Sequence, residues 1–240
     1  MFLELFRHKK PIMAMLHLKG DTPEQRLERA IVEADIYAAC GVDAMIVEDY
    51  YGDAADVERV LAYLSKQRPA YLLGVNVLDN FATSYELAAQ YGAKFMQVDS
   101  VCGHLHPDDE AAYFAMIDGY RRNGSVAVIG GVRFKYQPYL SGRSLVDDLT
   151  IAMRYCDAIA VTGAGTGVTT DTDKIREFRS ILGAFPLVVG AGMTVQTAVE
   201  KLSHADAAIV GSTFKDTRKD SGEVSALHVQ AFMDVVRGIQ

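Results

Sequence analysis

The feature of this sequence that most constrains its fold is a change of hydrophobic period that recurs eight times. Short apolar runs rich in β-branched residues alternate with longer amphipathic runs, which is the pattern of strands followed by helices. The apolar runs predict strands at residues 12–18, 44–48, 71–78, 95–101, 126–134, 158–162, 186–189 and 207–210. The amphipathic runs predict helices that start at Thr22 and then span 54–67, 85–91, 108–122, 144–156, 172–182, 195–202 and 226–239.

Eight strand–helix units in one unbroken series predict an α/β fold, a single-domain (β/α)8 TIM barrel with parallel strands over residues 1–240. The length agrees, because such a barrel takes about 250 residues. A doubly wound open sheet is the competing architecture, and it usually carries a glycine-rich nucleotide fingerprint after its first strand. Lys19, Gly20 and Asp21 follow the first strand here, so the barrel is favoured.

Composition narrows the class of partner. The net charge of −7 argues against a nucleic-acid partner, although a local positive site for an anionic substrate fits an acidic protein. The cysteines are far apart and form no CxxC pair, which favours a reducing compartment over a disulfide framework. No apolar run reaches the roughly 18 residues of a membrane span. We therefore expect a cytoplasmic protein without membrane insertion, and a homo-oligomer because barrels of this size often form one.

Small residues end the last three predicted strands. In a TIM barrel the loops at these positions often hold a phosphate, because glycine lets several backbone N–H groups approach an anion closely. The alternative is that these glycines only form tight turns. The strand-six segment lacks the spacing of a dinucleotide fingerprint, so NAD is not expected. The predicted phosphate-binding residues are Gly163, Gly165, Gly190, Gly192, Gly211 and Ser212.

Polar residues occur at the carboxyl ends of the first five strands, where barrel side chains face the active site. Carboxylates and imidazoles around one mouth suit proton transfer next to a carbonyl, with a lysine to stabilise the developing oxyanion. Each residue also has a structural alternative, such as a core histidine, a helix-capping acid or a surface lysine. The predicted catalytic residues are His17, Glu48, Asn76, Asp99 and Lys135.

No cofactor is predicted with certainty, but a bound divalent metal stays open as an alternative. His104 and His106, together with Asp99, Asp108 and Asp109, form a loose set of metal-ligand residue types. The spacing of the two histidines suits a strand better than a loop that precedes a proline. No metal-binding residue is therefore assigned.

Several segments together resemble the BtpA/SgcQ family of barrel proteins, and the similarity covers nearly the whole chain. The first strand, KPIMAMLHL at residues 10–18, is similar to the family's opening KPIIGMIHL. The strongest stretch is DAIAVTG at residues 157–163, followed by Gly165, Thr166 and Gly167. Other matching segments are GVDAMIVE at 41–48, GDA at 52–54, GVNVL at 74–78, VGAGMT at 189–194 and ADAAIVGS at 205–212, continuing to Lys215.

The resemblance implies a TIM barrel of the phosphate-binding type, and it implies less about activity. One member of the family is linked to photosystem I biogenesis, and another lies among predicted genes of sugar transport and metabolism. This chain departs from the family pattern at positions that we expect to line the pocket, so its substrate need not be the family's. The departures are Lys19-Gly20-Asp21 for a proline-rich loop, Asp79-Asn80 for Asn-Asp, Gln97 for an arginine, and Tyr136 for a histidine after Lys135.

Two classes of function follow from these observations. The first is an enzyme, an isomerase, epimerase or lyase that acts on a small phosphorylated substrate such as a sugar phosphate or a phosphoribosyl compound. Phosphoribosylanthranilate isomerase itself is disfavoured. That enzyme uses a cysteine on the first strand and an aspartate on the fifth, whereas the first predicted strand here carries His17 and the fifth has no aspartate. The alternative is a non-catalytic assembly or regulatory factor on a barrel scaffold, which predicts a sizeable exposed apolar surface.

Overall fold

A computed structural model describes residues 2–122 and 124–239 and contains a closed barrel of eight parallel strands. Strands pair in sequence order around the barrel, and the first strand closes it by pairing with the last. The predicted (β/α)8 TIM barrel is therefore confirmed, and the open sheet is excluded. The strands are β1 Ile12–Leu16, β2 Ala44–Glu48, β3 Leu73–Asn76, β4 Phe95–Cys102, β5 Ala127–Val132, β6 Ala158–Val161, β7 Leu187–Val189 and β8 Ala207–Val210.

A helix follows each strand, and short side chains with oxygen acceptors begin most of these helices. Thr22 accepts a hydrogen bond from the Gln25 N–H, and Asp53 forms a capping box with Asp56. The helices are α1 Pro23–Ala39, α2 Ala54–Gln67, α3 Phe81–Tyr91, α4 Pro107–Arg121, α5 Leu145–Tyr155, α6 Thr172–Leu182, α7 Ala198–His204 and α8 Ala226–Arg237.

Two predicted helix starts were wrong. Helix α3 begins at Phe81 rather than residue 85, because Asn80 caps it by accepting from the Thr83 N–H at 3.0 Å. Helix α7 begins at Ala198 rather than residue 195, because Thr194 and Thr197 hydrogen-bond to each other in a turn before it. Side-chain bonds of this kind compete locally with helix formation.

Aromatic residues close the barrel at the amino ends of its strands. Phe2, in a short 3-10 helix at Phe2–Leu5, packs edge-on against Phe95 with ring centroids 6.1 Å apart. Strand β3 has a glycine beside this ring, since a Cβ on Gly74 would lie 2.3 Å from Phe95. The floor is thus filled by rings, and the open end lies where the strands finish.

The loop that follows β5 at that open end is held by a buried ionic cluster. Arg143 donates to both carboxylate oxygens of Glu110 at 2.6 Å and to Asp148 at 3.0 Å. Asp148 is fully buried and also accepts from Arg133 and Ser141. Two arginines therefore balance two buried acids behind the loop. In the described part of the chain, no helix is long and apolar enough to cross a membrane.

Candidate active site

A cavity of about 210 Å³ opens at the carboxyl ends of the strands. Its first side is formed by polar side chains from β1, β2 and β4, namely His17, Glu48, Gln97 and Asp99. Its second side is formed by the loops after β6, β7 and β8, with Gly167, Gly190, Gly192, Gly211 and Ser212, and meets the first where Gly211 lies beside His17. In a TIM barrel the carboxyl ends of all strands and the loops that follow them lie on one face, so residues that are distant in sequence meet there.

Glu48 is the central acid of this cavity. It is the last residue of β2 and only 6% exposed. Asn76, at the end of β3, donates to Glu48 Oε1 at 2.8 Å. Burial and the nearby Asp99 carboxylate raise the pKa of Glu48 to about 8, although Lys135 and Asn76 partly oppose this. The Glu48 carboxyl therefore holds its proton at neutral pH.

His17 lies beside this acid just after β1. Its Nε2 is 3.6 Å from Glu48 Oε2, and the Tyr50 ring packs on the imidazole with centroids 5.1 Å apart. Burial, with a smaller contribution from the Lys215 ammonium, lowers the pKa of His17 to about 3. At neutral pH a neutral imidazole thus stands next to a protonated carboxyl.

Asp99 completes the polar side and is held by two amides. Gln97 Nε2 donates to Asp99 Oδ1 at 3.0 Å, and Asn76 reaches the same oxygen at 3.5 Å. Burial raises the pKa of Asp99 despite these hydrogen bonds. Within residues 2–122 and 124–239, the buried Gln97 Oε1 and His17 Nδ1 have no hydrogen-bond partner. Buried polar atoms without partners are costly, which makes Gln97 Oε1, on a residue that lines the cavity, the candidate acceptor for a ligand hydroxyl group.

Lys135 joins the loops after β5 and β6 at the rim of the cavity. Its backbone N–H donates to Thr162 Oγ1 at 2.9 Å, and its Nζ donates to Thr166 Oγ1 at 3.1 Å. The Tyr136 hydroxyl accepts from the Thr166 N–H at 2.8 Å. The Lys135 ammonium therefore lies at the cavity, where it faces the acids without forming an ion pair with any described residue.

The glycine-rich side offers backbone donors. Among the described residues, the N–H groups of Gly192, Gly211 and Ser212 donate no hydrogen bond. Gly192 has φ +66°, and a Cβ there would lie 2.1 Å from the Val168 carbonyl oxygen. Only glycine fits this contact between the loops after β6 and β7. The close packing of these two loops therefore requires glycine at position 192. Its N–H donates to no described group.

The structure brings most of the predicted site residues together. His17, Glu48, Asp99 and Lys135 line the cavity, and Asn76 lies directly beneath it in contact with Glu48. Four of the six predicted phosphate-binding residues also line it: Gly190, Gly192, Gly211 and Ser212.

Gly163 and Gly165 are placed elsewhere, so the structure corrects their assignment to the cavity. Gly163 packs against the Thr169 carbonyl oxygen, which a Cβ would approach to 2.7 Å, and Gly165 lies under the Tyr136 hydroxyl. Thr166 and Gly167, further along the same loop, reach the cavity instead. Sequence reasoning also missed Tyr50, for which an aromatic residue two positions after a strand-end acid was the available signal.

The residues of the metal alternative do not come together, and most of the departures from the family pattern lie at the cavity. Across the described residues, no three His, Cys, Asp or Glu side chains are grouped so as to hold a metal ion, so the set around His104 and His106 is not assembled. Asp79, Gln97 and Tyr136 line the cavity, as expected for positions that differ from the family pattern. The Lys19–Asp21 segment does not, since it borders a separate groove beside α1.

A closed eight-stranded barrel with a polar pocket at the carboxyl ends of its strands defines a TIM-barrel protein. The chain belongs to the BtpA family, whose family model matches residues 8–238. This confirms the resemblance found in the sequence.

Relatives match over almost the full chain. An uncharacterized protein of Thermococcus kodakarensis is 26% identical over 97% of this chain and 97% of its own length. The photosystem I biogenesis protein BtpA of Synechocystis is 25% identical over 97% of this chain and 90% of its own. Among solved structures, phosphoribosyl anthranilate isomerase from Thermus thermophilus has a TM-score of 0.60 at 15% identity, covering 96% of this chain and 100% of that one. That likeness concerns the fold alone.

Proposed function

We propose that this protein is an enzyme that acts on a small phosphorylated metabolite through acid–base chemistry at the barrel mouth. The observation that carries the proposal is that one cavity has a buried acid–base cluster on one side and free backbone N–H groups on the other. The substrate class is a sugar phosphate or a phosphoribosyl-type compound, and the reaction is an isomerisation, epimerisation or lyase-type cleavage.

In this proposal the polar side moves the proton. Glu48, protonated at neutral pH, donates to a carbonyl or hydroxyl oxygen of the substrate, and Asp99 accepts a proton from carbon. Lys135 stabilises the oxyanion that develops between them. Gln97 Oε1, which has no partner among the described residues, accepts a hydrogen bond from a substrate hydroxyl group.

The glycine-rich side holds the phosphate. Donors that are already in place and unpaired bind a dianion without first breaking a protein hydrogen bond. The N–H groups of Gly192, Gly211 and Ser212, with the Ser212 hydroxyl, form this side. A phosphoribosyl anthranilate isomerase has the same fold, and its name describes an isomerase of a phosphorylated compound. This supports the substrate class without fixing the substrate.

The test is incubation of the protein with a library of sugar phosphates and phosphoribosyl compounds in D2O. We expect one compound to exchange a carbon-bound proton for deuterium, detected by NMR or mass spectrometry, and to lose that exchange with Glu48→Gln. The unphosphorylated sugars are the matched control and should not exchange. Absence of exchange for every phosphorylated compound would overturn the proposal.

A specific observation also supports the second candidate, a non-catalytic assembly factor. Several large apolar side chains are exposed on the loops after β5 and β6 and on α5: Tyr136, Tyr139, Leu140, Val146 and Val168. Exposed apolar surface of this kind marks binding sites for other proteins, and one relative is named for photosystem I biogenesis. Recovery of a stoichiometric protein partner that is lost with Tyr139→Ser and Val146→Ser, without any proton exchange, would favour this candidate.

A further inference from the structure

We propose that a second cleft, which we call the outer cleft, binds a phosphate-type anion beside the mouth. The outer cleft lies between the loops after β5 and β6 and the first turn of α6, and has a volume of about 480 Å³. The residues that carry the argument are Arg133, Lys135 and Lys174, which all line it. It is distinct from the cavity assigned above to the substrate, although Lys135 and Tyr136 border both.

The two lysines of the outer cleft lack counterions. Of the described residues, no carboxylate lies within ion-pair distance of Lys135 or Lys174. Lys174 Nζ donates to the Thr162 carbonyl oxygen at 2.8 Å, and Lys135 Nζ donates to the Thr166 hydroxyl at 3.1 Å. An ammonium group has three N–H donors, so each lysine keeps two for a ligand.

Burial makes these unpaired charges costly. Lys174 is partly buried, and its pKa is lowered by desolvation and, less strongly, by the nearby Arg133 guanidinium, against an opposing contribution from Glu177. A half-buried cation close to another cation is stabilised when an anion binds beside both. Arg133 itself pairs with the buried Asp148 at 3.2 Å, whereas the acids that act on the two ammonium groups lie beyond ion-pair distance: Glu177 for Lys174, and Glu48 and Asp99 for Lys135.

The one acid that borders the outer cleft does not neutralise the lysines. Asp171 caps α6, where its carboxylate accepts from the Asp173 N–H at 2.8 Å. The outer cleft is therefore a positive site on a chain whose net charge is −7. Such local reversal of charge selects a small anion rather than a polyanion, which the acidic surface would repel. Two ammonium groups and a guanidinium suit the several oxygens of a phosphate group.

Two hydrogen bonds to Thr166 separate the outer cleft from the substrate cavity. Thr166 is bound on one side by the Tyr136 hydroxyl and on the other by Lys135 Nζ. An anion in the outer cleft would bind the same Lys135 Nζ that donates to Thr166, and so would act on the rim of the cavity. The two sites are thus adjacent but separate, and each has residues of its own: Lys174 for the outer cleft and Ser212 for the cavity.

Equilibrium binding of inorganic phosphate tests the outer cleft. We expect two phosphates per chain for the wild type and one for Lys174→Met, with affinity at the lost site reduced at least tenfold. Lys174→Arg should keep both, since it retains the charge. Lys66→Met, on the exposed end of α2, is the matched control and should bind two. Circular dichroism checks that each variant is folded.

The outcomes separate this inference from the proposed function. One phosphate in the wild type, weakened by Ser212→Ala but unaffected by Lys174→Met, would overturn the outer cleft and leave the substrate cavity supported. One phosphate lost with Lys174→Met but retained with Ser212→Ala would do the reverse. No bound phosphate, or two that Lys174→Met leaves unchanged, would also overturn the outer cleft.

Discussion

The two halves of the barrel mouth are made of different chemistry. Strands β1 to β4 carry side chains near their carboxyl ends that titrate or hydrogen-bond, such as the buried Glu48 and the partly buried Asp99. Strands β6 to β8 end in loops whose glycines line the same cavity, such as Gly192 and Gly211, and the N–H groups of these two donate no hydrogen bond to a described residue. In our account the first half transforms the substrate and the second half holds it. The loop after β5, with Lys135, joins the two halves.

The halves also differ in what keeps them in place. Acids of the first half sit on strand ends and are fixed by the barrel itself, whereas the loop after β5 depends on ionic contacts with Arg143. Changes that affect one half and spare the other therefore test the division.

The largest effect is expected from Arg143→Ala. Removing this guanidinium leaves Glu110 and Asp148 buried with reduced compensation, which costs about 3–5 kcal/mol of unfolding free energy. Urea denaturation measures the change. Arg176→Ala is the control, because its pair with Asp173 is exposed and an exposed pair contributes about 0–1 kcal/mol. Equal losses for the two variants would show that the cluster does not hold the loop.

Glu48→Gln should separate chemistry from binding. Glutamine keeps an oxygen that can accept from Asn76 Nδ2 but cannot supply a proton, so we expect the exchange rate to fall by about 10²–10⁴-fold. Phosphate affinity at the glycine-rich side should stay within twofold of the wild type. A loss of affinity as large as the loss of rate would contradict the division between the halves.

The same variant should change how stability depends on pH. The native state keeps the Glu48 proton up to about pH 8, whereas the unfolded chain loses it near pH 4. The lowered pKa of His17 contributes a gain of stability between about pH 3 and 6.5 in both proteins, while Glu48 contributes a loss from about pH 4 to about 8 in the wild type, on the order of a few kcal/mol. Glu48→Gln lacks this loss, so its stability relative to wild type should increase over that window. Denaturation midpoints at several pH values measure the difference, and a flat or opposite trend would contradict the raised pKa.

The smallest effect is expected from Ser212→Ala. Loss of one hydroxyl donor to a charged ligand should weaken phosphate binding by roughly ten- to a hundredfold, with little change in the exchange rate at saturating substrate. Ser203→Ala is the control, since Ser203 lies on the exposed surface of α7 and bonds only to the Glu200 carbonyl oxygen among the described groups. If kcat falls as much as affinity, the second half takes part in the chemistry.

The sequence predicts the fold and the first half of the mouth well, because both follow from the hydrophobic periodicity of the strands and helices. Alternation of strand and helix determines the barrel, and a polar residue at the end of an apolar strand faces the mouth wherever that strand lies. His17, Glu48 and Asp99 are therefore found from position alone. Helix starts at Asn80 and Thr197 are less predictable, because capping and turn bonds decide them.

The second half is harder to predict from sequence because loops are shaped by contacts between residues far apart in the chain. Gly163 and Gly165 lie in a glycine-rich segment like those of the cavity glycines, yet they pack against Thr169 and Tyr136. The cluster of Arg143 with Glu110 joins residues 33 positions apart, so no local sequence pattern predicts it. Similarly, the outer cleft exists only because α6 brings Lys174 next to the loop after β5.

The most direct test of the account is a titration of ¹⁵N-labelled protein with inorganic phosphate, followed through its amide resonances. We expect the Gly192, Gly211 and Ser212 N–H signals to shift together and to saturate with one dissociation constant. The signals of Gly41 and Gly92, which lie at helix ends away from the mouth, should not move. If these three signals stay fixed while phosphate binds, the glycine-rich loops do not hold the phosphate and the proposed division of the mouth is wrong.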